Sequence, residues 1–177
     1  VTEPQVAAGI GAMKRYLYSA QREGHWERSS TAGHRGGQTA LVVLALLMAG
    51  ESPQNPRLSH AIDWLKGLRD DELTSTYARS VRAHVWAALP NQFHRLLRRD
   101  ADWLMNAAKQ HQLGTFDYQP HKSSRIDNSA TQYGTLGLWE AAKRGVRVPD
   151  KIWLALQNHF INGQQADGGW DYNHTTN

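Results

Sequence analysis

The spacing Gln21-x-x-Gly24-x-Trp26 recurs as Gln165-x-x-Gly168-x-Trp170, and Gly114-Thr115-Phe116 repeats its Gly-x-aromatic end. Asp117 and Tyr118 follow Phe116 as Asp171 and Tyr172 follow Trp170. Trp26 and Phe116 stand 90 positions apart and Phe116 and Trp170 stand 54 apart, so one intervening unit, ending near Asp70, has lost both the glycine and the aromatic. A period of roughly 40 to 55 residues with two helices per unit marks a helical solenoid or a closed ring. Glycine lets the chain leave a helix through backbone angles that other residues resist. The aromatic then folds back on the helix end, and the glutamine amide satisfies carbonyls left open there. The motif is a structural staple first.

Hydrophobic periodicity supplies seven helices and no strand. The segment 4–21 carries Val6, Ile10, Met13 and Leu17 on one stripe, and 57–68 carries Leu58, Ile62, Leu65 and Leu68. The segment 91–111 aligns Phe93, Leu97, Ala101, Leu104 and Ala108; 150–162 aligns Ile152, Leu156 and Phe160. Between these amphipathic segments lie 38–49 and 128–144, which are nearly free of charge, as helices buried on several sides are. The segment 75–89 belongs with them but is interrupted by Arg79 and Arg82. Amphipathic and apolar helices therefore alternate, which predicts an outer and an inner layer.

Composition narrows the function classes. A hydrophobic content of 40% in 177 residues supports one folded domain with a real core, not a disordered chain. The net charge of +4 is spread out; its densest group, Arg95, Arg98 and Arg99, reads as the solvated face of a helix and not as a nucleic-acid patch. The run from Ala40 to Ala49 is too short to span a bilayer and reads as a core helix. The absence of cysteine excludes disulfides, thiolate zinc sites and cysteine nucleophiles. None of the nine histidines shows paired metal-ligand spacing; His25, His34, His121 and His174 fall in turns between helices. No metal or other cofactor is expected, and the sequence carries no indication of compartment.

Met13, Tyr16, Leu17, Gln21, Gly24 and Trp26 together resemble the QW repeat of squalene-hopene cyclases, and the stretch from Phe160 to Trp170 is similar. The run from Asp127 to Tyr133, leading into Gly137, Leu138 and Trp139, resembles proteins with prenyltransferase and squalene oxidase repeats. The resemblance extends along essentially the whole chain. It is to the terpenoid cyclase and protein prenyltransferase superfamily, and it implies an α/α toroid.

The resemblance also says which chemistry to look for. Class II cyclases of this superfamily protonate their substrate with an Asp-x-Asp-Asp motif, which needs one carboxylic acid kept protonated in a shielded place. This sequence has no such motif. Asp70-Asp71-Glu72 is the nearest acidic run, and Asp127, where the sixth helix begins, is a second candidate. For both, capping of a helix N-terminus is the simpler role. The zinc site of prenyltransferases and the thioester of related domains both require cysteine, which this chain lacks.

The expectation is an all-α, incomplete α/α toroid over residues 1–177, with about seven helices in outer/inner pairs, forming part of a larger protein. Three pairs and an unpaired seventh helix would leave an apolar edge open to a partner or to self-association. The expected function is a cyclase- or prenyltransferase-like module without a catalytic motif that binds an apolar small molecule or a protein partner. The alternative is part of a terpene cyclase-like enzyme whose acid lies outside these residues. No nucleic-acid partner and no transmembrane segment are expected.

Overall fold

The computed structural model describes residues 2–28, 33–110, 114–120 and 126–172. Among these residues there are seven α-helices and no β-strand: α1 (Glu3–Ala20), α2 (Gly37–Met48), α3 (Pro56–Gly67), α4 (Thr76–Ala88), α5 (His94–Gln110), α6 (Asn128–Lys143) and α7 (Asp150–Asn162). A single turn of 3-10 helix, Asn91–Phe93, leads into α5, which therefore begins three residues later than its periodicity indicated. The protein is all-α.

Helix α4 is the organising element. It packs most extensively against α6, then α2, then α5, while α3 lies against α2, and α5 also meets α6 and α7. Nine of its side chains are buried: Thr76, Ala78, Arg79, Ser80, Val81, Arg82, Ala83, Val85 and Trp86. Close approach of α6 requires the glycines on its contact face. A methyl group on Gly137 would come within 2.8 Å of Ser80 Oγ, and one on Gly134 within 2.7 Å of the Phe116 ring. The Ser80 hydroxyl donates to the Tyr133 carbonyl across this same interface.

The expected stripes of α3 and α5 are buried, with Phe93 half-buried at the entry to α5. Helix α1 departs from expectation. Its Val6 and Met13 are exposed, it has no buried residue, and only Leu17, Tyr18 and Ala20 at its C-terminal end pack on the core. A periodic stripe shows where a helix could bury itself, and α1 has little to bury against. Helix α2 is likewise not buried on all sides, because Leu41 and Met48 are exposed. At the other end of the molecule, Leu136 and Trp139 of α6 and Leu154 and Ile161 of α7 are exposed as well. No helix among the described residues is long and apolar enough to cross a membrane.

The two arginines that interrupt α4 are its deepest polar contacts. Asp100 of α5 is fully buried and receives Arg79 Nη1 at 2.8 Å, Arg82 Nε at 2.8 Å, Arg82 Nη2 at 2.5 Å and the Trp86 indole N–H at 2.9 Å. Of the remaining donors, Arg79 Nε binds the Leu73 carbonyl, Arg82 Nη1 binds that of Leu65, and Arg79 Nη2 reaches the Asp70 carboxylate. Buried charges are tolerated when paired and fully hydrogen-bonded, and these are. Reading the Arg95–Arg99 region as a solvated face therefore holds for Arg98 but misses Asp100 beside it.

Candidate functional site

The staple turns come first, because they deliver residues to the site. Trp26 Nε1 donates to the Leu17 carbonyl at 2.6 Å, and Trp170 Nε1 donates to the Phe160 carbonyl at 2.7 Å. Each indole thus folds back on the helix that precedes it, and both copies place glycine at positive φ, Gly24 at 82° and Gly168 at 87°. The loops nonetheless differ. Arg22 and His25 exchange both backbone hydrogen bonds at 2.9 Å around Glu23-Gly24, both at positive φ, which is a two-residue hairpin turn. In the other copy Gln165 N donates to Gly169 O and Gly168 N donates to Gln165 O, which is a three-residue loop.

The glutamines have diverged too. Gln21 Nε2 reaches the Arg57 carbonyl at 3.0 Å and Gln21 Oε1 accepts from Arg57 Nε, so it ties the turn to α3 rather than capping its own helix. Gln165 Nε2 reaches the Asp171 carboxylate of its own turn.

A second device accompanies the aromatic and lies outside the repeated Gln-x-x-Gly-x-Trp motif. The backbone N–H of Trp26 donates to Thr39 Oγ1 at 3.1 Å, and that of Phe116 donates to Thr131 Oγ1 at 3.1 Å. Both threonines are buried near the start of the helix that follows the turn, Thr39 in α2 and Thr131 in α6. The Trp26 and Phe116 turns are thereby each pinned to the helix that follows. In the Phe116 copy this pin positions the segment that continues to Tyr118.

Tyr118 is fixed against α4 by its backbone, because Thr76 N donates to the Tyr118 carbonyl at 2.9 Å and Thr76 Oγ1 donates to the Asp117 carbonyl at 2.6 Å. Asn128, at the start of α6, holds the last turn in a similar way: its N–H donates to the Tyr172 carbonyl and its Nδ2 to the Asp171 carbonyl. These segments converge on the first turns of α2, α4 and α6, where a cavity of about 380 Å3 opens. Its walls include Gln38 and Leu41 of α2, Tyr77 and Val81 of α4, Tyr133 of α6, and Tyr118.

The rings form one cluster. Tyr77 meets Tyr133 at 5.0 Å, Tyr118 at 5.5 Å and His34 at 5.6 Å between centroids, each in a steep, edge-directed geometry. The polar ends of Tyr77, Tyr118 and His34 are held by other groups. The Tyr77 hydroxyl donates to Ser129 Oγ at 2.9 Å and lies 3.4 Å from Asp127 Oδ1; the Tyr118 hydroxyl is 2.5 Å from that of Tyr172; His34 Nδ1 is 2.7 Å from Ser75 Oγ. Burial pushes the Tyr77 phenol up to about 12, with the Asp127 charge adding to the rise and the Ser129 hydrogen bond opposing it. Tyr77 is thus a neutral donor near neutral pH. The Tyr172 phenol is also raised, first by its hydrogen bond with Tyr118 and then by Asp127. The Gln38 carboxamide is different: its oxygen is buried without a hydrogen-bond partner among the described residues.

The acidic candidates lie elsewhere or are already engaged. Asp127 is buried and caps α6, accepting from the Ala130 N–H at 2.7 Å. Asp70-Asp71-Glu72 does not cap a helix. It forms a turn before α4, whose N-cap is Ser75. Asp70 pairs with Arg79 at 2.6 Å and Arg99 at 3.0 Å, Asp71 pairs with Arg69, and Glu72 pairs with Arg35 and Arg69. Desolvation alone would raise the Asp70 carboxyl, but Arg99 and Arg79 outweigh it and hold the group below its ordinary value. Asp71 is also lowered, chiefly by its hydrogen bond with Arg69. These carboxylates are ionised partners for arginine, the opposite of a stored proton. No cluster of three potential metal-ligating side chains occurs among the described residues, and His121 and His174 lie outside them.

No protein-family model, curated protein or solved structure matches the chain. The function therefore has to be argued from the site itself.

Proposed function

We propose that the protein is a non-catalytic module of the α/α-toroid kind, similar to the terpenoid cyclase and prenyltransferase superfamily, that binds an apolar small molecule against its inner helices. The observation that carries the reading is the tyrosine-walled cavity at the first turns of α2, α4 and α6, whose walls contain no carboxylate. Concave, aromatic-lined sites with few polar groups are the usual form of small-molecule pockets. The engagement of Asp70, Asp71 and Asp127 supports binding over protonation chemistry, since each carboxylate already accepts from arginine or from a helix N-terminus.

The test has two arms. A hydrophobic fluorescent dye should bind the protein and should lose affinity in Leu41→Asp, which places a charge at the exposed rim of the cavity. Incubation with squalene or prenyl diphosphates, followed by mass spectrometry of extracts, should return them unchanged. Cyclised or transferred product would overturn the non-catalytic reading in favour of a cyclase-like enzyme. Dye binding unaffected by Leu41→Asp would remove the cavity from the account.

A further inference from the structure

His34 also lines the cavity, and it brings a titratable group to a wall made mostly of rings and aliphatic side chains. Its ring stands edge-on to Tyr77 at 5.6 Å and to Tyr118 at 5.9 Å, with interplanar angles of 84° and 73°. The side chain is half-buried, and its nitrogens meet different surroundings. Nδ1 lies 2.7 Å from the hydroxyl of fully buried Ser75. Nε2 has no hydrogen-bond partner among the described residues, yet it is not one of the buried atoms left without one. It is therefore open to solvent.

We infer that the cavity takes a weak organic acid, its apolar body against the tyrosine rings and its carboxylate on His34 Nε2. This rests on the apolar-ligand reading above and adds the head group that the ligand carries.

Ser75 prepares the imidazole for that role. A serine hydroxyl both donates and accepts, so it serves Nδ1 of the neutral ring and Nδ1–H of the charged one. Ser75 is the N-cap residue of α4 but makes no side-chain capping bond, so its hydroxyl is left to His34. With Nδ1 occupied in either form, the charged ring presents Nε2–H as a donor to the cavity. A charge-assisted hydrogen bond to a carboxylate is roughly twice as strong as a neutral one.

The surroundings favour a negative head group. Among the described residues no wall side chain is a carboxylate, and His34 is the one that gains charge near neutral pH. Charged groups close by are already matched: Arg35, next in sequence, pairs with Glu72, and Asp127, beside the Tyr77 hydroxyl, caps α6. Tyr133 packs on Tyr77 at 5.0 Å, and no described residue hydrogen-bonds its hydroxyl, which leaves a second donor in the wall. A cationic head group would meet these donors and the charged imidazole with no carboxylate in the wall to offset them. Leu41, Val81 and the rings of Tyr77 and Tyr118 give the apolar body its surface.

The experiment uses the full chain and three probes that share one body: 4-phenylbutanoate, 4-phenylbutanol and 4-phenylbutylammonium. Calorimetry at pH 6 and pH 8 gives their affinities. The carboxylate should bind tightest at pH 6 and about fivefold more weakly at pH 8, while the alcohol changes less than about twofold. By linkage, bound carboxylate should move the NMR titration of the His34 Cε1–H resonance to higher pH, and bound alcohol should not. His34→Asn can keep the Ser75 hydrogen bond through its amide but cannot become charged. It should erase both the pH dependence and the preference for the carboxylate, and it identifies the resonance. The linkage shift is read on the wild type, so it decides the matter even if the variant fails to fold. Alcohol binding as tightly as carboxylate at pH 6, or no movement of the His34 titration, would overturn the inference while leaving the apolar-ligand reading in place. Tighter binding of the ammonium would overturn it by reversing the sign. Binding of none of the three would end both readings.

Discussion

The indole N–H of Trp26 donates to the carbonyl oxygen of Leu17 at 2.6 Å, nine residues back along the chain. Trp170 makes the same bond to Phe160 at 2.7 Å. The two staples share a geometry and differ in setting, since Trp26 is 5% exposed and Trp170 is 50% exposed.

That difference separates their energetic weight. Trp26→Phe strands the Leu17 carbonyl and shrinks a buried side chain, and should cost about 2 kcal/mol. Trp170→Phe leaves water to replace the lost donor and should cost under about 0.5 kcal/mol. Urea denaturation of the two variants measures both. Equal losses would contradict the assignment of burial as the deciding factor.

Asp100 and Asp70 share Arg79 as a partner but differ in burial. Asp100→Asn leaves the buried Arg82 guanidinium without its carboxylate and leaves Arg79 with the partly exposed Asp70, and should cost about 3–5 kcal/mol. Asp70→Asn removes a partly exposed partner from an arginine that keeps Asp100, and should cost no more than about 1 kcal/mol. Thermal melts of the two variants give the ranking, and a larger effect at Asp70 would reverse it.

The folded-state phenol of Tyr77 titrates at about 12 against an ordinary 10.0, so the folded protein holds this proton more tightly than the unfolded chain does. The associated stability is fully present below pH 10 and is lost as the pH rises from there toward 12. Tyr77→Phe should flatten the pH dependence of stability in that window. Denaturation midpoints at stepped alkaline pH, wild type against variant, provide the comparison.

Glycine to alanine has opposite expected signs in two helices. Gly9 of α1 has open space around it, so Gly9→Ala should gain up to about 1 kcal/mol from helix propensity alone. At Gly134 the same gain is opposed by a methyl group placed 2.7 Å from Phe116, and overpacking should win, with a net loss of about 1 kcal/mol or more. Denaturation curves of the two single variants decide it.

The helices were legible because each rests on local spacing. The starts of α6 at Asn128 and of α7 at Asp150 fall where the apolar pattern placed them. The staple was legible for the same reason, since glycine, indole and preceding helix lie within a dozen residues. Arg79 and Arg82 were not, because their partner sits 21 and 18 residues away on another helix, amid arginines that face solvent. The acidic run was misplaced for a similar cause: what engages Asp70 is Arg79 and Arg99, and neither is its neighbour in sequence. The cavity was hidden most completely. Tyr77, Tyr118 and Tyr133 belong to three segments, and only the packing of α4 between α2 and α6 brings them together. Thr39 and Thr131 offered a faint signal, each following its aromatic by about the same interval, 13 and 15 residues.

The burial of α4 bears on how the molecule comes apart. Amides in a helix covered on this many sides exchange with solvent only when the whole structure opens, whereas α1, with no buried residue, can peel away by itself. Proteases and deuterium would therefore meet a chain that frays from its first helix inward. Loss of that helix is a local event; loss of α4 is unfolding.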